Sequence, residues 1–228
     1  MNPVKPGETP RTPWIVGVSG ASGTPYAAAV LRGLLDAGES VDLVVSRASR
    51  LTLLDETGIS FRDAHWQDDL REWLARGADG KPGTFEPDID AVRHWSAGDL
   101  AAGPSSGSYP AKGMLIVPAS TACVAGVALG LSKDLLQRAA SVTLKEGRRL
   151  VVSVRETPLN GQTLRHLVTL DDLGAAVVPA SPGFYAGATH IQDLVDFVAG
   201  RVLDAAGVEH DLYRRWKGDL GGARTIDN

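Results

Sequence analysis

The sequence predicts an α/β protein, a single domain built as a three-layer, doubly wound parallel sheet. Three features predict it. Apolar runs of strand length recur along the chain, a helical apolar pattern follows most of them, and short connections leave no evident domain boundary.

The elements follow in order. Residues 1–13 are polar and proline-rich and read as a disordered leader. The stretch Trp14–Tyr26, WIVGVSGASGTPY, organises the rest. Its apolar run Ile15–Val18 is the first strand, a turn of small residues follows, and Ala27, Val30, Leu31, Leu34 and Leu35 then recur at helical spacing. Strand, small-residue turn and helix together aim free backbone N–H groups and a positive dipole end at an anion. Gly17, Gly20 and Gly23 fit GxxGxxG, not the GxGxxG of dinucleotide sites, and no clear acidic ribose ligand stands about 20 residues on. A mononucleotide phosphate suits this turn better, although a tight packed turn asks for the same small residues.

Gly38 ends the helix and Val41–Val45 forms a second strand, closed by Ser46. Polar residues at the carboxyl ends of parallel strands face the ligand crevice. Residues 47–57 are helical and carry Glu56; spacing alone leaves Ser46 and Glu56 as either crevice or surface residues. Trp66, Leu70, Trp73 and Leu74 mark a short amphipathic helix, and 76–90 is a long exposed loop crowded with Gly, Pro and Asp. Ala91–Trp95 is a short strand holding His94, a lone histidine read as structural. The segment AAGPSSGSYPAKG is small and flexible, suited to wrapping a phosphate or the edge of a ring.

Gly113–Pro118 is the next strand. Ser120 and Thr121 cap the helix Ala122–Gly130, a role that accounts for both hydroxyls as well as a ligand would. Ser132 is expected to cap Lys133–Glu146, in which Arg138 and Lys145 lie two turns apart on one side; a solvated basic face has the same pattern. Leu150–Val154 is a strand that ends in Arg155-Glu156, either a functional pair at the crevice or an isolated ion pair. A helix over Asn160–Thr169, a strand over Ala175–Pro179, the loop Pro182–Tyr185 and an amphipathic helix over Gln192–Ala206, with Arg201 beside its apolar stripe, complete the domain. Residues 218–228, beyond Trp216, read as a flexible tail. The alternation is that of a Rossmann or flavodoxin-like sheet.

Composition narrows the function classes. The 23 Lys and Arg against 27 Asp and Glu give a net charge of −4, so no global basic field points to nucleic acid or an anionic membrane. One cysteine, Cys123, rules out an internal disulfide and a multi-cysteine zinc site, and suits a reducing compartment. With no apolar signal core and no long apolar span, the expectation is a cytoplasmic protein.

The runs GVSGASG (17–23), SSGS (105–108), PAST (118–121), RAASVTLKE (138–146), VRETPL (154–159), PGFY (182–185) and DLVDFVAGRVL (193–203), with Arg215-Trp216 after them, resemble one family, the flavin prenyltransferases of the UbiX type. The resemblance covers roughly residues 14–217. It implies a metal-independent enzyme that joins a dimethylallyl group from dimethylallyl monophosphate to N5 and then C6 of reduced flavin mononucleotide (FMN). The prenylated FMN would serve a UbiD-type decarboxylase. A homo-dodecamer with sites at subunit interfaces is implied as well.

By the same resemblance, Gly20, Ala21 and Ser22 would hold the flavin, with the Ser22 hydroxyl near N5 as a proton relay. Ser46 would bind the ribityl or phosphate end. Ser120, Thr121, Ala122 and Cys123 would cradle the mononucleotide and Arg155 would contact it. Ser106 and Gly107 would offer N–H groups to the prenyl phosphate, which Arg138, Lys145, Tyr185 and Arg201 would clamp. Glu56 and Glu156 would manage protons, with Lys145 also catalytic, and Trp216 would close over the site. Cationic side chains stabilise charge developing on the leaving phosphate, and a monophosphate held this way does without a metal. Ala119 departs from the cysteine that family members often carry there.

Two alternatives remain from other classes. Pro118-Ala119-Ser120 is faintly similar to the PASANT motif of FMN-dependent cysteine decarboxylases, with His94 available as their histidine, but the asparagine of that motif is absent. A non-catalytic flavin-binding subunit of a decarboxylase system would have lost its phosphate-clamp residues, and here they are all present.

Overall fold

The structure, a computed structural model, describes residues 11–216 and 218. Most of the expected leader and of the expected flexible tail, together with Lys217, lies outside the described residues. Six strands form one sheet, β1 (Trp14–Val18), β2 (Val41–Val45), β3 (Val92–Ser96), β4 (Gly113–Ala119), β5 (Arg149–Val154) and β6 (Ala176–Val177). All pairings are parallel, in the order β3-β2-β1-β4-β5-β6. The order reverses direction between β1 and β4, and the crevice beyond their carboxyl ends is where open α/β sheets bind ligands.

Alternation along the strands assigns the faces. Val16, Val18, Leu43, Val45, Leu115 and Val117 pack with α1 (Thr24–Asp36), α3 (Trp66–Leu74) and α7 (Ile191–Ala206), joined by Leu53 of α2 (Arg47–Thr57). Their strand neighbours Ile15, Val44, Met114, Ile116, Leu150 and Val152 pack on the opposite face with α4 (Thr121–Ala128), α5 (Leu135–Lys145) and α6 (Gly161–Asp172). The expected three layers are present, with both faces covered as an all-parallel sheet requires.

Several expectations need correction. Ser132 does not cap α5: it sits at φ 50 in the preceding turn, and Asp134 caps instead, its carboxylate accepting from the Gln137 amide at 2.9 Å. A carboxylate next to the first turn also faces the positive dipole end, which a serine two residues earlier cannot reach. The sixth strand is shorter than Ala175–Pro179 because Pro179 cannot donate to the ladder, although Val178 and Ala180 still donate to Val152 and Val154 at 2.9 Å each. The 76–90 loop is not wholly exposed: Arg76 and Pro82 form an antiparallel bridge, Phe85 packs on the core, and the Ala78 amide donates to Gln192 Oε1 at 2.7 Å.

Arg11, within the stretch expected to be leader, is held by the sheet. Arg11 pairs with the fully buried Asp42 and donates to the Val41 and Ala91 carbonyls. Asp42 also accepts from Trp95 Nε1 at 2.9 Å and the Tyr109 hydroxyl at 2.7 Å. It is the acidic residue nearest a ribose ligand's position in the sequence, yet it lies near the start of β2 and is committed to this knot. Tyr109 packs on Gly103, where a Cβ would come within 2.5 Å of its ring, so the knot anchors the 103–109 loop to the sheet. Tyr109→Phe is expected to lower stability by about 1–2 kcal/mol, read as a shift in the urea midpoint, because a buried carboxylate loses one donor. An unchanged midpoint would mean that the hydroxyl bond contributes nothing.

Candidate active site

At the carboxyl end of β1 the chain turns through Ser19, Gly20, Ala21, Ser22 and Gly23. Ser19 is buried and bridges the two central strands, its hydroxyl donating to the Pro118 carbonyl (2.8 Å) and accepting from the Ser120 amide (2.7 Å). Gly20 touches the start of α2; a Cβ there would lie 2.5 Å from the Cβ of Ala48. Gly23 adopts φ +112, a left-handed conformation that favours glycine, and lets the Tyr26 ring fold back over the turn.

The expected anion at this helix end is supplied by the protein itself. Glu56, on α2, accepts from the Gly23 and Thr24 amides at 2.8 Å each and from the Thr24 hydroxyl at 2.6 Å. Burial pushes its carboxyl up, but hydrogen bonds from the Thr24 and Ser22 hydroxyls and the two amides outweigh that and hold it below the ordinary range. The idea that these amides face a ligand phosphate is therefore corrected: they are already answered. Any phosphate must use other donors.

Beside this knot lies a cavity of about 510 Å³, lined among others by Ser22, Tyr26, Glu56, Arg155, Pro182 and Leu194. Ala78 lines it too, which gives the 76–90 loop a place at the site. Arg155 is part-buried, and among the described residues its side chain has no ion pair or hydrogen bond. Of the two readings open for Arg155-Glu156, the isolated ion pair does not occur; the Glu156 carboxylate is exposed and accepts from the Thr157 amide at 3.0 Å. Tyr26 is a lining residue the sequence reading passed over. Burial raises its phenol above the usual range, opposed by the charge of Arg155 and supported by that of Glu56.

The remaining residues expected on the flavin side are placed by helix starts. Ser46 is buried and caps α2, accepting from the Ser49 amide at 3.1 Å. Ser120 caps α4, accepting from the Cys123 amide at 3.3 Å, which leaves the Thr121 and Ala122 amides open. The Cys123 thiol is buried and pushed up to about 12, chiefly by desolvation, so it is neither a thiolate nor a nucleophile.

The expected phosphate clamp is divided. Tyr185, Arg201 and Trp216 stand on the α7 side: Tyr185 meets Phe197 and Trp216 edge-on at 5.5 and 6.1 Å, and Arg201 pairs with Asp204 at 2.8 Å. Ser106, Gly107, Arg138 and Lys145 stand on the α5 side. Arg138 Nε donates to the Ser105 carbonyl at 3.0 Å, Ser106 and Ser108 hydroxyls share a 3.0 Å bond, and Lys145 pairs with Glu146. Arg148 donates to the Gly107 carbonyl at 2.7 Å, and a Cβ on Gly107 would collide with Glu146 and Lys145. Lys145 ends α5 four residues before β5 begins, so it lies toward the opposite end of the strands from the crevice. One chain does not bring the two halves together.

His94 lies outside the site. Its side chain is buried between Phe61 and Trp66, at 5.3 and 6.0 Å, and Nε2 has no hydrogen bond. Burial, with the Arg50 charge, depresses it to about 4 against a weaker pull from Asp63. A histidine held neutral in the fold stabilises above its unfolded pKa, and that contribution is lost as pH falls from about 6.5 toward 4. Urea unfolding at pH 7.5 and pH 5 should therefore show a larger acid loss for the wild type than for His94→Phe, by about 1–2 kcal/mol. Equal losses would place the acid sensitivity elsewhere.

Among the described residues no group of three or more His, Cys, Asp or Glu side chains is arranged to hold a metal ion, and no helix is long and apolar enough to cross a membrane. Strand order, small-residue turns and an unpaired arginine in the crevice define a mononucleotide-binding α/β protein. Comparison with known proteins makes this specific. Residues 4–203 match the Flavoprotein family. The chain is 90% identical over 212 residues to the flavin prenyltransferase UbiX of Streptomyces coelicolor, covering 93% of this chain and 98% of that one. It is similar to the dodecameric FMN-dependent UbiX-like decarboxylase of Escherichia coli O157:H7, with TM-score 0.77 and 34% identity over 91% of this chain and 100% of the other. It is equally similar to AnUbiX (PadA1), solved in complex with FMN and dimethylallyl pyrophosphate, with TM-score 0.77 and 33% identity over 91% and 98%. The protein belongs to the Flavoprotein family, as a flavin prenyltransferase of the UbiX type. The cysteine-decarboxylase and non-catalytic alternatives are not favoured.

Proposed function

We propose that the protein transfers a dimethylallyl group from dimethylallyl monophosphate to reduced FMN. The allylic C–O bond breaks and inorganic phosphate leaves. A C–N bond forms at N5 and a C–C bond at C6; of the two protons that leave these positions, one returns to the prenyl chain and the other balances the departing phosphate as hydrogen phosphate. The observation that carries this reading is Arg155, a part-buried cation with no anionic partner among the described residues, set in a cavity of about 510 Å³ at the switch point. The residues present fit a flavin mononucleotide: Gly20–Ser22 and Ser120–Ala122 offer walls of small side chains and backbone, and the Thr121 and Ala122 amides are open donors.

Ser22 lies close enough to Glu56 for its hydroxyl to help hold that carboxyl low, so a proton accepted at Ser22 would have an onward path to an ionised carboxylate. Glu156, exposed at the crevice edge, would take up the proton lost when the ring closes. Pro25, Pro182, Leu194 and Val195 form the apolar side of the cavity and keep water from the allylic carbon. The α5 side, with Ser106, Gly107, Arg138 and Lys145, completes the phosphate clamp of a neighbouring copy, whose own α7 side supplies Tyr185, Arg201 and Trp216. A homo-dodecamer provides such interfaces, and the E. coli relative is described as dodecameric. Prenylated FMN would pass to a UbiD-type decarboxylase in the cytoplasm.

The test is anaerobic mixing of protein, reduced FMN and dimethylallyl monophosphate, followed by mass measurement of the extracted flavin. A flavin heavier by one five-carbon unit is expected. Unchanged flavin, with binding confirmed, would overturn the reaction; turnover only with the diphosphate would overturn the choice of donor.

A further inference from the structure

We propose that Asp204 is the positioning residue of the phosphate clamp: it fixes Arg201 by one edge of the guanidinium and docks the carboxy-terminal segment so that Trp216 stands against Tyr185. The inference rests on the reading above, in which Arg201 and Trp216 belong to the prenyl-phosphate site.

Asp204 lies one helical turn beyond Arg201 on α7, with a side chain 18% exposed. Four donors converge on it. Oδ2 accepts from Arg201 Nη1 at 2.8 Å and the Tyr213 hydroxyl at 2.6 Å; Oδ1 accepts from Arg215 Nη2 at 2.9 Å and pairs with His210 Nε2 at 3.1 Å. That fills the accepting capacity of a carboxylate. Burial opposes its charge, but the Tyr213 and Arg215 hydrogen bonds and the arginine charge prevail and hold it at about 2, so it is ionised throughout the working range.

The geometry at Arg201 is one-sided. Nη1 makes both of its contacts, to Asp204 and, at 3.3 Å, to the Tyr213 oxygen, while Nε and Nη2 are unengaged among the described residues. A guanidinium pinned at one corner loses much of its rotamer freedom before ligand arrives and keeps a second edge free for two parallel bonds to a phosphate. Two arginines share one carboxylate here, so the cluster retains positive charge for an anion.

The same cluster carries the closing aromatic. Gly200 makes room for it: a Cβ there would lie 2.5 Å from the Tyr213 ring and 2.7 Å from His210, so the carboxy-terminal segment lies flat on α7. Rings then run from Tyr213 to Phe197 at 5.0 Å, to Tyr185 at 5.5 Å and to Trp216 at 6.1 Å. Arg215, held by Asp204, is the residue before Trp216.

Steady-state kinetics on full-length Asp204→Asn, Tyr213→Phe and Arg201→Ala, with titration of reduced FMN, test this. Asp204→Asn is expected to raise KM for dimethylallyl monophosphate about tenfold, and Tyr213→Phe about threefold, with FMN affinity unchanged in both. A purely structural staple would lower the melting temperature and leave that KM alone. If Arg201→Ala raises KM but the other two stay within about twofold of wild type, Asp204 does not position Arg201 and the proposal fails. If Arg201→Ala leaves KM unchanged, the phosphate reading fails and takes the proposal with it. Should Asp204→Asn not fold, Tyr213→Phe, which removes a single oxygen, decides.

Discussion

Glu56→Gln is expected to slow flavin prenylation about 10²–10³-fold while leaving the protein folded. The carboxylate does two jobs at one place. It answers the first amides of α1, and Ser22, the hydroxyl proposed to stand nearest the reacting nitrogen, is close enough to help hold its carboxyl low. An amide has one oxygen where Glu56 presents two, and its NH₂ would face the Gly23 and Thr24 donors, so one of them loses its acceptor. Loss of the cap and of the charge at a helix N-terminus costs about 1–2 kcal/mol, a few degrees of melting temperature. Loss of an ionised acceptor beside Ser22 removes the onward path for the proton, which falls on turnover more than on FMN binding. Because hydrogen bonding depresses the Glu56 carboxyl, its contribution is present above the ordinary glutamate pKa and disappears as pH falls through the lower folded value. Turnover, FMN affinity and melting temperature measured together separate these effects. If Glu56→Gln retained wild-type turnover, the relay would be wrong; if it lost turnover only in proportion to unfolding, Glu56 would be a cap and nothing more.

The fold was legible because both faces of the sheet are buried. Runs such as Val41–Val45 and Leu150–Val154 are short, rich in β-branched residues and fit interior strands, and the helices between them carry clear apolar faces. What sequence spacing could not supply was the partner of each polar group. Glu56 lies 32 residues beyond Thr24, so nothing local distinguishes a carboxylate that caps α1 from one on the surface of α2. Asp42 sits within an apolar run, and its reason for being there is spread over Arg11, Trp95 and Tyr109, far apart in the chain. Tyr26 escaped notice although it stands in the leading motif, because an aromatic at the start of a helix usually reports core packing. The family motifs name the expected clamp residues as a set of cations and hydroxyls, yet motif order is silent on which face of a sheet each one occupies.

That division between faces sets up the second large effect. Lys145→Ala and Arg201→Ala, each assembled alone, are expected to retain less than about 1% of wild-type turnover at low prenyl-phosphate concentration, since each strips a cation from every site. If the two cations come from different copies, co-assembly of the two variants in equal amounts should restore about a quarter of wild-type activity. In a random mixture about half the α5 faces and, independently, half the α7 faces are intact, so about one interface in four pairs two intact halves. Sites built within one chain would give no such gain, because every chain in the mixture carries a lesion. The measurement is turnover of the co-expressed, separately tagged variants after tandem purification, against each variant alone. Recovery near a quarter supports a site shared between copies. Activity no greater than the average of the two parents means that Lys145 and Arg201 do not meet across an interface, and the role of the α5 face in holding the phosphate is then lost with it.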